Sequence, residues 1–277
     1  MKFFDERDNP APTGALDRLI RRFPALSHLL AGVALYTIAG SALGLAFTPS
    51  IMLLARTWPP LWDAASPWRW PALGLLGGTA LLLWGVTLLI IVPAYNFILP
   101  TKLRPSSAGY FTAASLPWYL HNGLFYLVRF TVFPFVSATP IGTLFLSAMG
   151  MRVGRRVRMT SENFTDVSMI TLGDDVVIGG SATIFCHFGG AGKLVIAPVV
   201  IEARATIGEK ATVMGDVVVG EGATILPHSV LLPGTRVGAR ERWGGVPARP
   251  ISREEWQEYK AMMRGPDAAA ATSPASS

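Results

Sequence analysis

The chain is predicted to combine an α-helical membrane anchor with an all-β parallel β-helix, on three observations. The first half holds two uncharged apolar runs, each longer than a bilayer requires; the second half repeats an aliphatic residue every six positions; and glycines and small or β-branched residues keep fixed offsets from that beat. At 277 residues, 51% hydrophobic and only 15% charged, the composition is too apolar for a soluble protein of this size. The excess must face something other than water.

Residues 1–24 form a mixed-charge segment with Lys2, Arg7, Arg18, Arg21 and Arg22. Residues 25–104 read as a two-span transmembrane hairpin. Leu29 to Ala55 and Pro71 to Pro100 contain no Asp, Glu, Lys or Arg, and about 20 apolar residues of helix suffice to cross the hydrocarbon core. The connecting loop is expected to carry Trp58, Trp62, Trp68 and Trp70 as interfacial anchors. A cleaved signal peptide fits poorly, because the first run is too long and begins too late. The loop has only Arg56 and Arg69, while Lys102 and Arg104 follow the second span. The positive-inside rule therefore places the loop outside, and the N-terminus and repeat domain in the cytoplasm, in a multi-pass protein of the inner membrane.

Residues 105–150 are a membrane-proximal apolar segment interrupted by His121, Asn122, Arg129, Pro134 and Pro140. Two amphipathic segments in the interface are expected, with further spans as the alternative.

Residues 151–251 carry the repeat. Its beat runs Leu172, Ile178, Ile184 and then, after a break, Val195, Ile201, Ile207, Val213, Val219, Ile225, Leu231 and Val237. Four positions on stand Val176, Ala182, Val199, Ala205, Ala211, Val217, Ala223 and Thr235, and one position on there is often glycine, as at Gly173, Gly179, Gly208, Gly220 and Gly238. Two inward residues flanking one outward residue make a very short strand, and an adjacent glycine permits a sharp bend. Each hexapeptide is then one strand and one corner of a parallel β-helix. Residues 252–264 read as a C-terminal helix, and 265–277, ending GPDAAAATSPASS, as a disordered tail.

The net charge of +6 arises in the membrane half, where residues 1–150 hold ten Lys and Arg against five Asp and Glu; residues 151–277 hold fourteen against thirteen. It reflects topology and anionic lipid rather than nucleic acid, for which no module is present. The single cysteine, Cys186, excludes an internal disulfide.

With its closing WGGVPARPI, Trp243 to Ile251, the repeat resembles the hexapeptide-repeat acyltransferases. The resemblance implies a left-handed coil, an acyl-CoA donor, most simply acetyl-CoA, and a homotrimer with cofactor grooves between subunits. The arrangement of two spans, an apolar segment, GMRVGRRV, NF, LGD, a histidine and PA also resembles a narrower membrane-tethered group, including the C-terminal domains of polylysine-type peptide synthetases. That relation implies amide as well as ester products. An acyl carrier protein-dependent enzyme acting on a nucleotide sugar and a non-enzymatic membrane scaffold remain as other readings.

The break between Ile184 and Val195 reads FCHFGGAGKL and holds His187. A loop leaving a regular scaffold can present a catalytic side chain, and acyl transfer needs a base near neutral pKa to deprotonate the nucleophile. In the family a catalytic histidine sits on such an excursion after an LGD corner; His187 lies fourteen residues after Gly173. An ordinary loop histidine is the alternative. His228 falls in a regular corner, while His121 and His28 suit packing or the interface. The NF at Asn163 resembles an acceptor loop of sugar O-acetyltransferases, implying that Asn163 bonds the acceptor while Asp166 orients the imidazole; both are equally suited to turns. Arg240, Arg242 and Arg249 are candidates for the cofactor phosphates, or form a solvated edge. A phosphate loop is excluded because His187 and Leu194 stand where Gly and Ser or Thr are needed. No metal is expected, since a zinc site on such a prism needs three histidines and the repeat has two. The acceptor is expected to be membrane-presented: a lipid-linked sugar, an envelope glycan precursor or a lipopeptide.

Overall fold

The computed structural model describes residues 14–63, 67–110, 112–190 and 192–264; the tail 265–277 and residues 1–13 of the N-terminal segment lie outside the described residues. Helix α1 (Ala15–Arg22) leads into α2 (Pro24–Trp62), which turns back into α3 (Arg69–Ile98). Both long helices have the length and composition to cross a membrane, with mean hydropathies of 1.8 and 2.3. Ser50 Oγ donates to Ala80 O at 2.6 Å and Ser41 Oγ meets Tyr95 Oη at 2.9 Å, tying the pair together. Leu29, Leu30, Leu75, Leu82 and Ile90 stay exposed on its outer face, as an apolar solvent would allow.

Trp58 and Trp62, expected in the loop, belong instead to the last turns of α2, and Trp70 to the first turn of α3. Pro59 and Pro60 each remove a donor but keep a helical φ, and Asp63 N–H closes the final turn on Pro59 O. Trp58 stacks on Trp62 at 5.8 Å, and Trp70 meets Trp62 edge-on at 5.9 Å.

The segment after α3 forms β1 (Ser106–Gly109), α4 (Leu116–Arg129), α5 (Phe133–Val136) and α6 (Pro140–Ala148). Where two surface-lying amphipathic segments were expected, α4 packs on α2 and α3 and buries His121, Asn122, Leu124, Phe125 and Val128. Phe125, Phe133 and Phe145 join a core that continues into the first coil through Met149 and Met151. The membrane-proximal helices are thus the plug at one end of the β-helix, which would otherwise expose its open column of aliphatic side chains.

Five coils follow. The first comprises β2 (Arg152–Val153), β3 (Arg158–Met159) and a bridge at Phe164; the second comprises β4 (Ile170–Leu172), β5 (Val177–Ile178) and β6 (Thr183–Ile184). A hairpin of β7 (His187–Gly190) and β8 (Lys193–Ile196) then leaves the prism. The third coil resumes as β9 (Val199–Ile201), β10 (Thr206–Ile207) and β11 (Thr212–Val213), and the fourth as β12 (Val217–Val219), β13 (Thr224–Ile225) and β14 (Val230–Leu231). The fifth has β15 (Arg236–Val237) and β16 (Arg242–Gly244), closed by antiparallel β17 (Arg249–Pro250) and α7 (Arg253–Arg264). Strands of successive coils pair in parallel, so Leu172, Ile201, Val219 and Val237 form one inward ladder and Ile184, Val213 and Leu231 another.

Two expectations fail in the repeat. Val195 is no beat of the prism: it lies in β8 and packs with Phe188 and Ala197 in a separate small cluster. Nor do the glycines one position after the beat supply the bend. The left-handed backbone sits three positions after the beat, at Asp175, Ser181, Arg204, Lys210, Asp216, His228 and Arg240. The glycines are needed for close approach: a Cβ on Gly173 would come 2.5 Å from Ala203 N, and one on Gly179 2.6 Å from Glu209 N, in the next coil.

Candidate active site

The pairing of Phe164 with Ile184 stacks the corner after Phe164 under the point where the hairpin departs. Asp166 occupies that lower corner in left-handed conformation, φ 53° and ψ 39°, which Asp tolerates better than most side chains. Its carboxylate is fully buried. Oδ2 accepts from Cys186 N–H at 3.0 Å and lies 2.6 Å from His187 Nδ1; Thr165 Oγ1 adds a weaker contact at 3.3 Å.

The second wall comes from α4. Asn122 Nδ2 donates to Asp166 Oδ1 at 2.8 Å and to Trp118 O at 3.1 Å, while Asn122 Oδ1 accepts from Asp166 N–H at 3.0 Å. The Trp118 ring meets the His187 ring edge-on at 5.1 Å, and Phe185 approaches at 5.5 Å. The imidazole is thereby fixed on three sides.

Burial alone would raise the Asp166 carboxyl, but the hydrogen bond and charge of His187, with Asn122 and the Cys186 N–H, outweigh it and hold the group below its ordinary value. An ionised Asp166 places the proton of a neutral His187 on Nδ1 and the lone pair on Nε2. Nε2 has no hydrogen bond among the described residues, on a side chain 24% exposed. The arrangement can accept a proton from a molecule in front of it. Cys186, by contrast, is buried, and burial drives its thiol well up, so it is no nucleophile.

The other predicted residues lie elsewhere. Asn163 Oδ1 accepts from Arg129 Nη2 at 3.0 Å, and no hydrogen bond joins it to His187. The three arginines belong to the far end of the prism, three coils or about 14 Å away at the spacing of paired strands. Arg249 pairs with Glu255 at 2.6 Å, Arg242 lies 4.7 Å over the Trp256 ring, and the Arg240 side chain has no hydrogen-bond or ion-pair partner among the described residues. His228 is exposed in a regular corner at φ 58°. His121 is buried, its Nδ1 2.9 Å from Asn96 Oδ1; burial, partly offset by Asp166, lowers it to about 4. Among the described residues no group of three or more His, Cys, Asp or Glu is placed to hold a metal.

Residues 198–233 match the family described as bacterial transferase hexapeptide (six repeats). The repeat region is thus similar to hexapeptide-repeat transferases over these residues. A curated relative is the delta-poly-L-ornithine synthetase of Acinetobacter baumannii (strain AB307-0294), 24% identical over 173 residues, 61% of this chain but 13% of that protein. It is of the peptide-synthetase type that the sequence resembles, and the chain spans only a small part of its length. Among solved structures, the acetyltransferase of Vibrio cholerae O1 biovar eltor complexed with acetyl-coenzyme A is 25% identical, covering 37% of this chain and 60% of that one, with TM-score 0.35. A galactoside acetyltransferase in complex with coenzyme A is 15% identical, covering 53% and 86%, with TM-score 0.42.

Sequence reasoning missed Asn122 and Trp118 as parts of the candidate site. Asn122 was detectable only as a polar residue in an otherwise apolar stretch; nothing local linked it to Asp166, 44 positions on.

Proposed function

We propose that this chain is a membrane-anchored acyltransferase in which His187 is the general base and Asp166 its orienting carboxylate. The observation carrying this is the 2.6 Å contact between Asp166 Oδ2 and His187 Nδ1, which leaves the lone pair on Nε2, an atom with no hydrogen bond among the described residues. Nε2 takes the proton of an acceptor hydroxyl or amine as that atom attacks the thioester carbonyl of acyl-CoA, most simply acetyl-CoA. The tetrahedral intermediate then expels the CoA sulfur, its C–S bond breaks, and the proton held on His187 passes to the departing thiolate. Asp166 stabilises the imidazolium formed between these steps.

The donor lies along the left-handed prism in a groove between subunits of a homotrimer, with Arg240, Arg242 and Arg249 toward its phosphates and Asn163 at the acceptor. Helices α2 and α3 anchor the chain in the inner membrane, with the β-helix on the cytoplasmic side where acyl-CoA is found. The acceptor is membrane-associated: a lipid-linked sugar, an envelope glycan precursor or a lipopeptide. An amine acceptor gives an amide, a reading favoured by the similarity to a polyornithine synthetase. Mass spectrometry of envelope lipids and glycans from cells expressing wild type or His187→Ala tests the reading. An acylated species present only with the wild type supports it, and identical profiles oppose it.

A further inference from the structure

The structure has a cavity of about 330 Å³ beside the His187 hairpin that the catalytic reading does not use. Pro100, Leu103, Ala114, Trp118 and Ile196 give it an apolar wall, and the charged residues lining it are both cations, Lys102 and Arg104. We propose that this cavity binds the phosphate-bearing headgroup of a membrane lipid that serves as the acyl acceptor. The inference rests on the acyl-transfer reading for the headgroup's role, though not for its binding.

Three observations carry it. The first is position: the lining begins at Pro100, two residues beyond Ile98, the end of α3, and so lies where that helix would leave a bilayer. Thr101 Oγ1 bonds Asn96 O at 2.6 Å and fixes this exit. The second is unused polarity: Lys102 and Arg104 are exposed with no hydrogen-bond or ion-pair partner among the described residues, and Trp118 Nε1 is buried without one. Two cations and one indole donor beside an apolar wall suit a phosphorylated amphiphile better than a neutral one.

The third is the link to the base. Strand β1 pairs with β8 and β8 with β7, placing Ser106, Ile196 and His187 directly opposite one another. Residues directly opposite in an antiparallel sheet project from the same face. Ser106 and Ile196 line the cavity, so His187 projects on the cavity side, and Trp118 lines the cavity while touching the imidazole ring. A headgroup held by Lys102 and Arg104 therefore has its further hydroxyls or amines directed across β8 toward the His187 side chain. Coenzyme A also carries phosphates, but it arrives from water, whereas this cavity lies at the end of an apolar helix.

Equilibrium binding of radiolabelled dodecyl phosphate to the full chain in neutral-detergent micelles tests the proposal. Saturable binding is expected, weakened at least about tenfold in the Lys102→Gln/Arg104→Gln variant, since each charge-assisted contact is worth about that factor or more. Both side chains are exposed and unpaired, so folding should not change, and a circular dichroism melt verifies this. A second variant, Ala114→Trp, fills the cavity, keeps both charges and should also abolish binding. Equal binding by wild type and both variants overturns the proposal. Competition by inorganic phosphate or coenzyme A as effective as that by unlabelled dodecyl phosphate overturns the membrane source, identifying a free-anion or donor site. His187→Ala should bind dodecyl phosphate as wild type does; if it does while wild type transfers no acyl group to any lipid, the site stands and the acyl-transfer reading falls.

Discussion

Replacing Asp166 by asparagine changes one atom of the buried network, and the hydrogen bonds around that atom set the cost. The carboxylate accepts from Asn122 through Oδ1 and from Cys186 N–H and His187 through Oδ2. If the new NH2 group faces Asn122, one buried donor pair is left opposed. If it faces Cys186 and His187, the Cys186 N–H is left opposed and His187 must in addition move its proton to Nε2 so that Nδ1 can accept, which removes the base. Asn122 cannot turn over to help, because its Oδ1 already accepts from residue 166 N–H. The first arrangement is therefore favoured, at a cost of about 1–3 kcal/mol for one unsatisfied buried group. It keeps an oxygen on Nδ1 but replaces a charge-assisted bond to the imidazolium with a neutral one, a difference of about 1–2 kcal/mol. Turnover should fall roughly 5- to 30-fold with KM for acyl-CoA unchanged. The assay is thiol release from acetyl-CoA by the purified full chain with membrane extract as acceptor, alongside a thermal melt. Combining Asp166→Asn with His187→Ala should lower the rate no further than His187→Ala alone. Turnover within about twofold of wild type in a folded Asp166→Asn protein would remove Asp166 from the mechanism, because it falls below the loss expected for replacing a charge-assisted bond to the imidazolium.

His228→Ala should keep most activity, because that exposed corner lies outside the dyad; a loss comparable to that of His187→Ala, measured by the same thiol assay, would move the site. The folded state holds His121 neutral down to about 4, against an ordinary 6.5. The unfolded chain therefore takes up the proton first, and stability should fall as pH drops from about 6.5 toward about 4. Denaturant titrations near pH 7 and pH 5 should show that slope flattened in His121→Gln. Asp166 acts in a lower window: its depressed carboxyl stabilises the fold above the ordinary carboxylate value, and this contribution fades as pH falls below it, so the stability gap between wild type and Asp166→Asn should close in acid. For topology, single cysteines at Asp63 and Glu258 in a Cys186→Ala background should react with an impermeant maleimide from outside at the first site and only after permeabilisation at the second. External labelling at Glu258 would invert the proposed orientation.

The regular part of the fold was legible because each coil repeats the same burial problem. Leu172, Ile178, Ile184 and the line from Ile201 to Val237 must all point inward, and that requirement prints a period of six on the sequence. Val195 joined the period by accident, since β8 buries Leu194, Val195 and Ile196 in succession and one of these aliphatic residues falls on the beat. The break itself was visible, and with it His187, but its pairing with β1 was not: Ser106 and Ile196 are far apart in the chain, and SSAG carries no strand signal of its own. Asp166 was open to a turn reading, and it is indeed in a left-handed corner. Its proximity to His187 depends on the coil-to-coil offset, which is set by the irregular stretch between Phe164 and Ile170. The glycines were assigned the wrong physical role for the same reason, because the clash that selects them comes from the next coil.

Everything proposed for the site depends on His187 removing the acceptor's proton during acyl transfer. Thiol release from acetyl-CoA should therefore be measured against incorporation of labelled acetyl into the lipid-extractable fraction, by full-length wild type and His187→Ala in the same native membrane preparation. Release and incorporation should be stoichiometric for the wild type, and both should fall at least about 100-fold in the variant, with its folding and membrane insertion unchanged. Equal rates in the two proteins would show that His187 is not the base.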